Sequence, residues 1–275
     1  MVVVIFGTNA CGLIRCLSTP HATVYTKHKA MHHSLFSVNL CNKGIPMTQN
    51  EQTLLLDRKI TTSEINDLST AGHPMALQRC DLQDLDMSRF DMTGWRFEAC
   101  NLTGASFNGA MLENTVFKGC RASGVSFVSA TLTEAQIEGG DFSNTDFRGA
   151  LMSSINIAHC KMIGTDLSEA RLTDFDIEDV LLGLARLPNL SFRKMTLKQL
   201  DFSEADLRFC DFRGTIFDDC SLRDAYLVDC RFENADLQGA DLGGIKLTDA
   251  KRFKGAIISK RQAADLLGQL GLQVL

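Results

Sequence analysis

From Leu77 to Leu247 every fifth residue of the chain is apolar, 35 consecutive positions in one phase with Ala122 the smallest occupant. An α-helix repeats near 3.6 residues and a strand near 2, so neither generates a period of five. A fixed period sustained this long marks a stacked repeat architecture. Two residues before each central position runs a second, smaller register that includes Cys80, Cys100, Ala105, Thr115, Cys120, Ala150, Cys210 and Ala240. The position between the two registers is rich in Asp, as in Ala205-Asp206-Leu207 and Ala240-Asp241-Leu242. Large and small residues turned inward around a polar one fill a narrow core at native density. The pattern predicts a solenoid, and its function must be read from the solenoid's outer surface.

Ala235-Asp236-Leu237-Gln238-Gly239 followed by Ala240-Asp241-Leu242-Gly243-Gly244 resembles the pentapeptide-repeat family. The resemblance implies an all-β fold, a right-handed quadrilateral β-helix with four pentapeptides per coil. The 35 repeats would make nearly nine coils, a stack on the order of 42 Å long at about 4.8 Å per coil. Sorting every twentieth residue gives four internal ladders, one of them Met87, Phe107, Phe127, Phe147, Leu167 and onward to Leu247. Large residues occupy the small register at Leu85, Phe90, Trp95, Phe175, Val180, Leu190, Met195 and Leu200. The last five surround a stretch with Leu182, Leu184, Arg186 and Pro188, which reads either as ordinary coil or as a loop hidden in phase.

The ends do not repeat. Residues 1–74 form a non-repeat extension, 75–250 the β-helix and 251–275 a carboxyl-terminal element. The polar run Met47-Thr48-Gln49-Asn50-Glu51 reads like an amino terminus, so residues 1–46 are expected to be disordered or not native. The apolar start, Met1 to Leu17, is broken by Asn9 and Arg15 well short of a membrane span and lacks a clean basic flank for a signal peptide. At the other end Ser259 and Gln262 fit a capping box. Ala263, Leu266, Leu267 and Leu270 follow at helical spacing, Gly271 is placed to end the helix, and Leu272 to Leu275 suggests a short strand. A helix this short needs a packing partner. Capping the open β-helix end is one role. Leu272, Val274 and Leu275 leave apolar surface beyond it, which predicts a homodimer joined end to end through Ala263, Leu266, Leu267, Leu270, Leu272, Val274 and Leu275.

Composition changes this picture little, and charge changes it more. Seven of the ten cysteines fall in the small inward register, where a thiol acts as a compact apolar group; free buried thiols suit a reducing cytoplasm. Cys11, Cys16, Cys41, His21, His28, His32 and His33 match no zinc spacing, so neither metal nor cofactor is expected. His159 beside Cys160 would serve as a nucleophilic pair only with the thiol facing outward, and no phosphate loop or carboxylate cleft is visible, which argues against an enzyme. Residues 76–250 carry 28 acidic and 17 basic side chains, whereas 251–275 carry one acidic and five basic. Asp141, Asp146, Asp201, Asp206, Asp211, Asp236 and Asp241 recur in the middle register and form the candidate acidic partner-binding face.

Two functional readings stand. The tail from Gln262 to Val274 resembles the terminal dimerisation helix of Qnr-type quinolone-resistance proteins and of their relatives that give immunity to topoisomerase poisons. That resemblance implies a DNA mimic that binds DNA gyrase or topoisomerase IV and modulates or protects it, without binding nucleic acid directly or entering a membrane. The alternative is a general protein-interaction scaffold with no topoisomerase partner. Asp before the central residue also serves turn geometry and wall solvation irrespective of function.

Overall fold

The inward registers close on themselves every twenty residues, and each pentapeptide makes one side of a four-sided coil. The computed structural model describes residues 53–245, 250–268 and 271–273. The candidate metal residues of the first 46 positions, and Leu247, Leu270, Val274 and Leu275 of the tail, lie outside the described residues.

The chain enters through β1 (Thr53–Leu56) and α1 (Thr62–Thr70), the helix opened by a capping box between Thr61 and Glu64. Then follow β2 (Met75–Gln78), β3 (Arg96–Glu98), β4 (Val116–Arg121), β5 (Gln136–Asp141), β6 (Leu151–Ser153) and β7 (Asn156–Lys161). After them come β8 (Arg171–Thr173), β9 (Asp176–Leu181), β10 (Thr196–Asp201), β11 (Ile216–Asp218), β12 (Cys220–Ser221) and β13 (Ala240–Asp241). A 3-10 turn (Ala250–Phe253) and α2 (Lys260–Gly268) complete the described elements. All strand pairs are parallel.

The register is 20 residues from β2 onward, as in Phe97↔Phe117 and Leu200↔Val180. It differs at both ends. β1 pairs β2 at a spacing of 22, Thr53 with Met75, so the ladder begins 22 residues before the first repeat and the β-helix includes part of the predicted extension. Asp236 bridges Ile257, a spacing of 21, so one residue is inserted where the repeat gives way to the carboxyl-terminal cap. The stretch from 181 to 190 is ordinary coil and not a loop. Leu181 pairs with Lys161 and Asp201, Arg186 bridges both Asp166 and Asp206, and Leu182 and Leu187 are buried in the ladders. Pro188 is tolerated because N–H groups at equivalent positions, such as those of Ser168 and Arg208, donate to Asp side chains and not to the backbone ladder.

The core is a stack of side-chain rungs. Phe107, Phe127 and Phe147 stack with centroids 5.0 and 4.9 Å apart; Phe192, Phe212, Phe232 and Phe253 continue the same arrangement at 5.0 Å per step. Those separations equal the inter-strand spacing, so each ring packs face to face on its predecessor. The small register tolerates thiols and hydroxyls because each finds a carbonyl of the preceding coil. Thr115 donates to Met92 O at 2.9 Å and Cys100 to Leu77 O at 3.2 Å. Residues two after the central one turn the corners in the left-handed conformation, Asn114, Asn144 and Asp224 at φ 57°, 56° and 55°. Asn and Asp tolerate that region better than other non-glycine residues.

Candidate interaction faces

The middle-register Asp is first of all a structural group. Each of the seven predicted acidic-face residues accepts a hydrogen bond from the backbone N–H two residues on: Asp141 from Ser143 at 2.9 Å, Asp146 from Arg148 at 3.0 Å, Asp201 from Ser203 at 2.9 Å and Asp206 from Arg208 at 3.2 Å. Asp211, Asp236 and Asp241 do the same for Arg213, Gln238 and Gly243 at 3.1, 3.1 and 2.9 Å. This closes the turn at the start of each side. Five of the seven are also neutralised by a cation: Arg148 on Asp146, Arg208 on Asp206, Arg213 on Asp211, Lys161 on Asp141 and Arg223 on Asp241. The Arg208 and Arg213 guanidiniums hold the Asp206 and Asp211 carboxyls below the ordinary carboxylate value.

The fold does not gather these seven onto one face. With a coil of 20 residues, Asp141, Asp201 and Asp241 share one side, Asp146 and Asp206 lie on the next, and Asp211 and Asp236 fall singly on the two others. We number the sides by their central ladders: first, Leu77 to Leu237 through Phe97; second, Leu82 to Leu242; third, Met87 to Leu227; fourth, Met92 to Phe232. Sorted this way between residues 76 and 245, the first side carries eight acidic and four basic residues and the second seven and three. The third carries six and four, and the fourth six and five. The acidity therefore lies on two adjacent sides.

It is also confined lengthwise. From Asp176 to Asp241 the first and second sides present Asp176, Glu178, Asp179, Asp201, Glu204, Asp218, Asp219, Asp224, Asp236 and Asp241 against Lys198 and Arg223 only. The amino-terminal half of the same two sides balances five acids with five bases. Glu178, Glu204, Asp218, Asp219 and Asp224 have no basic partner within ion-pair distance among the described residues. The sequence reading missed them because it followed the middle register alone; they lie one or two residues after the central apolar position, and sorting all outward positions by side reveals them.

The predicted dimer residues divide in two. The Ser259–Gln262 capping box forms as predicted, with Gln262 Oε1 accepting from Ser259 N–H at 2.6 Å. Gln262 Nε2 then donates to both Leu237 O and Ala240 O at 2.7 Å, fastening α2 to the last coil. Leu266 is buried and lines an apolar cavity with Leu237, Leu242, Ile245 and Phe253, so it serves the cap and is not available to a second chain. Ala263 is half-buried, whereas Leu267 and Leu272 are exposed. Gly271 adopts φ 77°, and Leu272 N–H bonds Leu267 O at 3.2 Å, closing the helix end. Leu272 and Gln273 are not in a strand.

His159 and Cys160 point apart. The thiol is buried and donates to Ala158 O at 3.0 Å, and burial pushes it up to about 12; the exposed imidazole meets Asp179 at 2.8 Å. No group of three or more metal-binding side chains occurs among the described residues, and no helix among them is long and apolar enough to cross a membrane. On the third side Phe209, Tyr226 and Val228 are exposed on adjacent coils.

A family profile described as pentapeptide repeat region matches residues 90–167, and one described as pentapeptide repeats matches 184–219 and 215–251. No curated protein matches the chain by sequence. Among solved structures, trypsin-treated QnrB1, a plasmid-mediated fluoroquinolone resistance protein, is 22% identical, with a TM-score of 0.52 over 81% of this chain and 97% of its own. HetL, a pentapeptide repeat protein involved in heterocyst differentiation regulation from the cyanobacterium Nostoc, is 18% identical, with a TM-score of 0.30 over 68% of this chain and 86% of its own.

Proposed function

The chain belongs to the pentapeptide-repeat family, and on that premise we propose that it binds a type II topoisomerase, DNA gyrase or topoisomerase IV, and modulates its response to topoisomerase poisons. The observation that carries this reading is the acidic edge of the carboxyl-terminal half, ten carboxylates against two cations on two adjoining sides. Successive coils repeat at about 4.8 Å, a spacing commensurate with the few-ångström charge spacing along duplex DNA. A groove that admits a duplex by electrostatic attraction would admit such an edge. The likeness in fold to a fluoroquinolone resistance protein supports the choice of poison class.

A homodimer belongs to the same proposal. Leu267 and Leu272 are apolar and exposed at the tail, beyond the part of α2 that caps the coil. Pairing there about a two-fold axis would set two acidic halves end to end and double the length of charged edge. The scaffold alternative is favoured by Phe209, Tyr226 and Val228, which put aromatic and aliphatic surface on a side where the fold needs none.

The test is a gyrase supercoiling and cleavage titration with the full chain, with and without a fluoroquinolone. The expected result is inhibition or reduced drug-trapped cleavage that is lost in the Glu178→Lys/Asp218→Lys/Asp219→Lys variant. No effect on either topoisomerase, or an unchanged effect in the variant, refutes the proposal. Light scattering of Leu267→Glu/Leu272→Glu tests the dimer: an unchanged mass would sink it.

A further inference from the structure

The fourth side reverses its charge along its length. In its amino-terminal half the outward positions from Asp91 to Ser154 hold Asp91, Glu113 and Glu134 and no base. From Arg171 onward the same positions hold Arg171, Arg193, Lys194, Arg213 and Arg231. The one-residue register shift after Asp236 then aligns Arg252 and Lys254 with Arg231 and Glu233. Phe253 stacks on Phe232 at 5.0 Å, which fixes that alignment. Seven cations thus face three carboxylates, Asp174, Asp211 and Glu233, and Asp211 is already bound by Arg213. Arg252 is held by Asp229 at 2.8 Å. Arg171, Arg193, Lys194, Arg231 and Lys254 are exposed and make no ion pair among the described residues.

We propose that this basic half-face binds the phosphate backbone of duplex DNA. The stripe spans four coil steps, about 19 Å, a length over which a duplex carries roughly 11 charges. Its outward side chains other than the charged ones are small or polar: Thr173, Ser191, Gly214 and Asn234. A protein interface draws its affinity from buried aromatic and aliphatic anchors at its centre. Phosphate contacts need cations and small hydrogen-bonding groups instead, and that is what this face offers. Of the two acidic sides the second lies opposite and the first adjoins this one. On the coils from Ser191 to Asn234 the cations Arg193, Lys194, Arg213 and Arg231 still outnumber the carboxylates of their own side, Asp211 and Glu233, and screening at physiological salt limits the reach of neighbouring charge to about 8 Å. The inference departs from the expectation that no nucleic acid is bound directly, and it does not depend on a topoisomerase partner.

The test is fluorescence anisotropy of the full chain with a labelled 20-base-pair duplex of arbitrary sequence, in buffer without any topoisomerase. With about five phosphate contacts, affinity should fall on the order of 10²- to 10³-fold between 50 and 200 mM salt. The Arg193→Glu/Lys194→Glu/Arg231→Glu variant should lose binding with an unchanged circular dichroism spectrum, whereas Arg148→Glu on the third side should retain it. Absence of binding at 50 mM salt, or an unaffected triple variant, overturns the proposal. Tighter binding of a poly-glutamate chain of equal charge also overturns it, in favour of an acidic protein surface.

Discussion

Phe127→Ala is the sharpest test of how the solenoid is held together. The ring is fully buried, stacked on Phe107 at 5.0 Å and on Phe147 at 4.9 Å, with Phe117 edge-on at 5.6 Å. Truncating a buried Phe costs about 3–5 kcal/mol, more where the surroundings cannot collapse into the void. Here they cannot, because neighbouring coils are held apart at strand spacing by backbone bonds, Phe107 N–H to Ser126 O at 2.7 Å and Phe127 N–H to Asp146 O at 2.7 Å. Loss of two stacked contacts, each worth about 0.5–1.5 kcal/mol beyond area, places the expected loss at the top of that range, about 5 kcal/mol. Phe127→Leu, which keeps most of the volume, should lose roughly 1.5 kcal/mol. Guanidinium unfolding followed by far-ultraviolet circular dichroism reads both through the midpoint and slope. A loss below about 1.5 kcal/mol for the alanine variant, or equal losses for the two, would show that the stacked rungs are not what sustains the column.

Other consequences can be checked as directly. A Cβ on Gly140, at φ 97°, would clash with the backbone of Cys120, its carbonyl oxygen foremost, so Gly140→Ala should cost about 3 kcal/mol. Gly119→Ala meets nothing within 4 Å and should cost only the left-handed strain, about 1–2 kcal/mol, when the two are compared by thermal melts. The hydrogen bond to Asp179 raises the His159 pKa above its ordinary 6.5. The stabilisation from that pair is therefore full below the unfolded value, near pH 6.5, and is lost as pH rises through the higher folded value. Titrating the His159 ring protons by NMR should show a value above 6.5 that falls back in Asp179→Asn. The described cysteines Cys80, Cys100, Cys120, Cys160, Cys210, Cys220 and Cys230 are all free and buried. They should resist a thiol reagent such as DTNB in the native protein and react together on unfolding; rapid native labelling would contradict their inward placement.

Much of the fold can be read from residues because the solenoid writes its geometry locally. The apolar positions from Leu77 to Leu242 point inward because every side of the coil repeats the same five-residue environment, and one phase satisfies all four sides. The Ser259–Gln262 box and the Gly271 terminus are likewise local chemistry. Leu266 illustrates the opposite case. Its helical spacing marks it as apolar but says nothing of what it covers, and only the docking of α2 through Gln262 turns it onto Leu237 and Phe253. The stretch around Pro188 was ambiguous for a related reason. An in-phase loop and a coil have the same pattern, and only the pairing of Leu181 and Arg186 with coils on both sides separates them.

The sequence by itself determined the repeat, its inward registers and an excess of negative charge, since each depends on residue type at a five-residue spacing. The tertiary structure decided where that charge is presented. Residues 20 apart in the chain become neighbours about 4.8 Å apart, while residues five apart turn onto different sides. Asp146 and Asp211, equivalent in the repeat, lie on different sides under different arginines, whereas Glu178 and Asp218, two coils apart, share the acidic edge. Coulomb interaction depends on distance in space and not along the chain, so the acidic edge and the basic half-face exist only once the coil has closed.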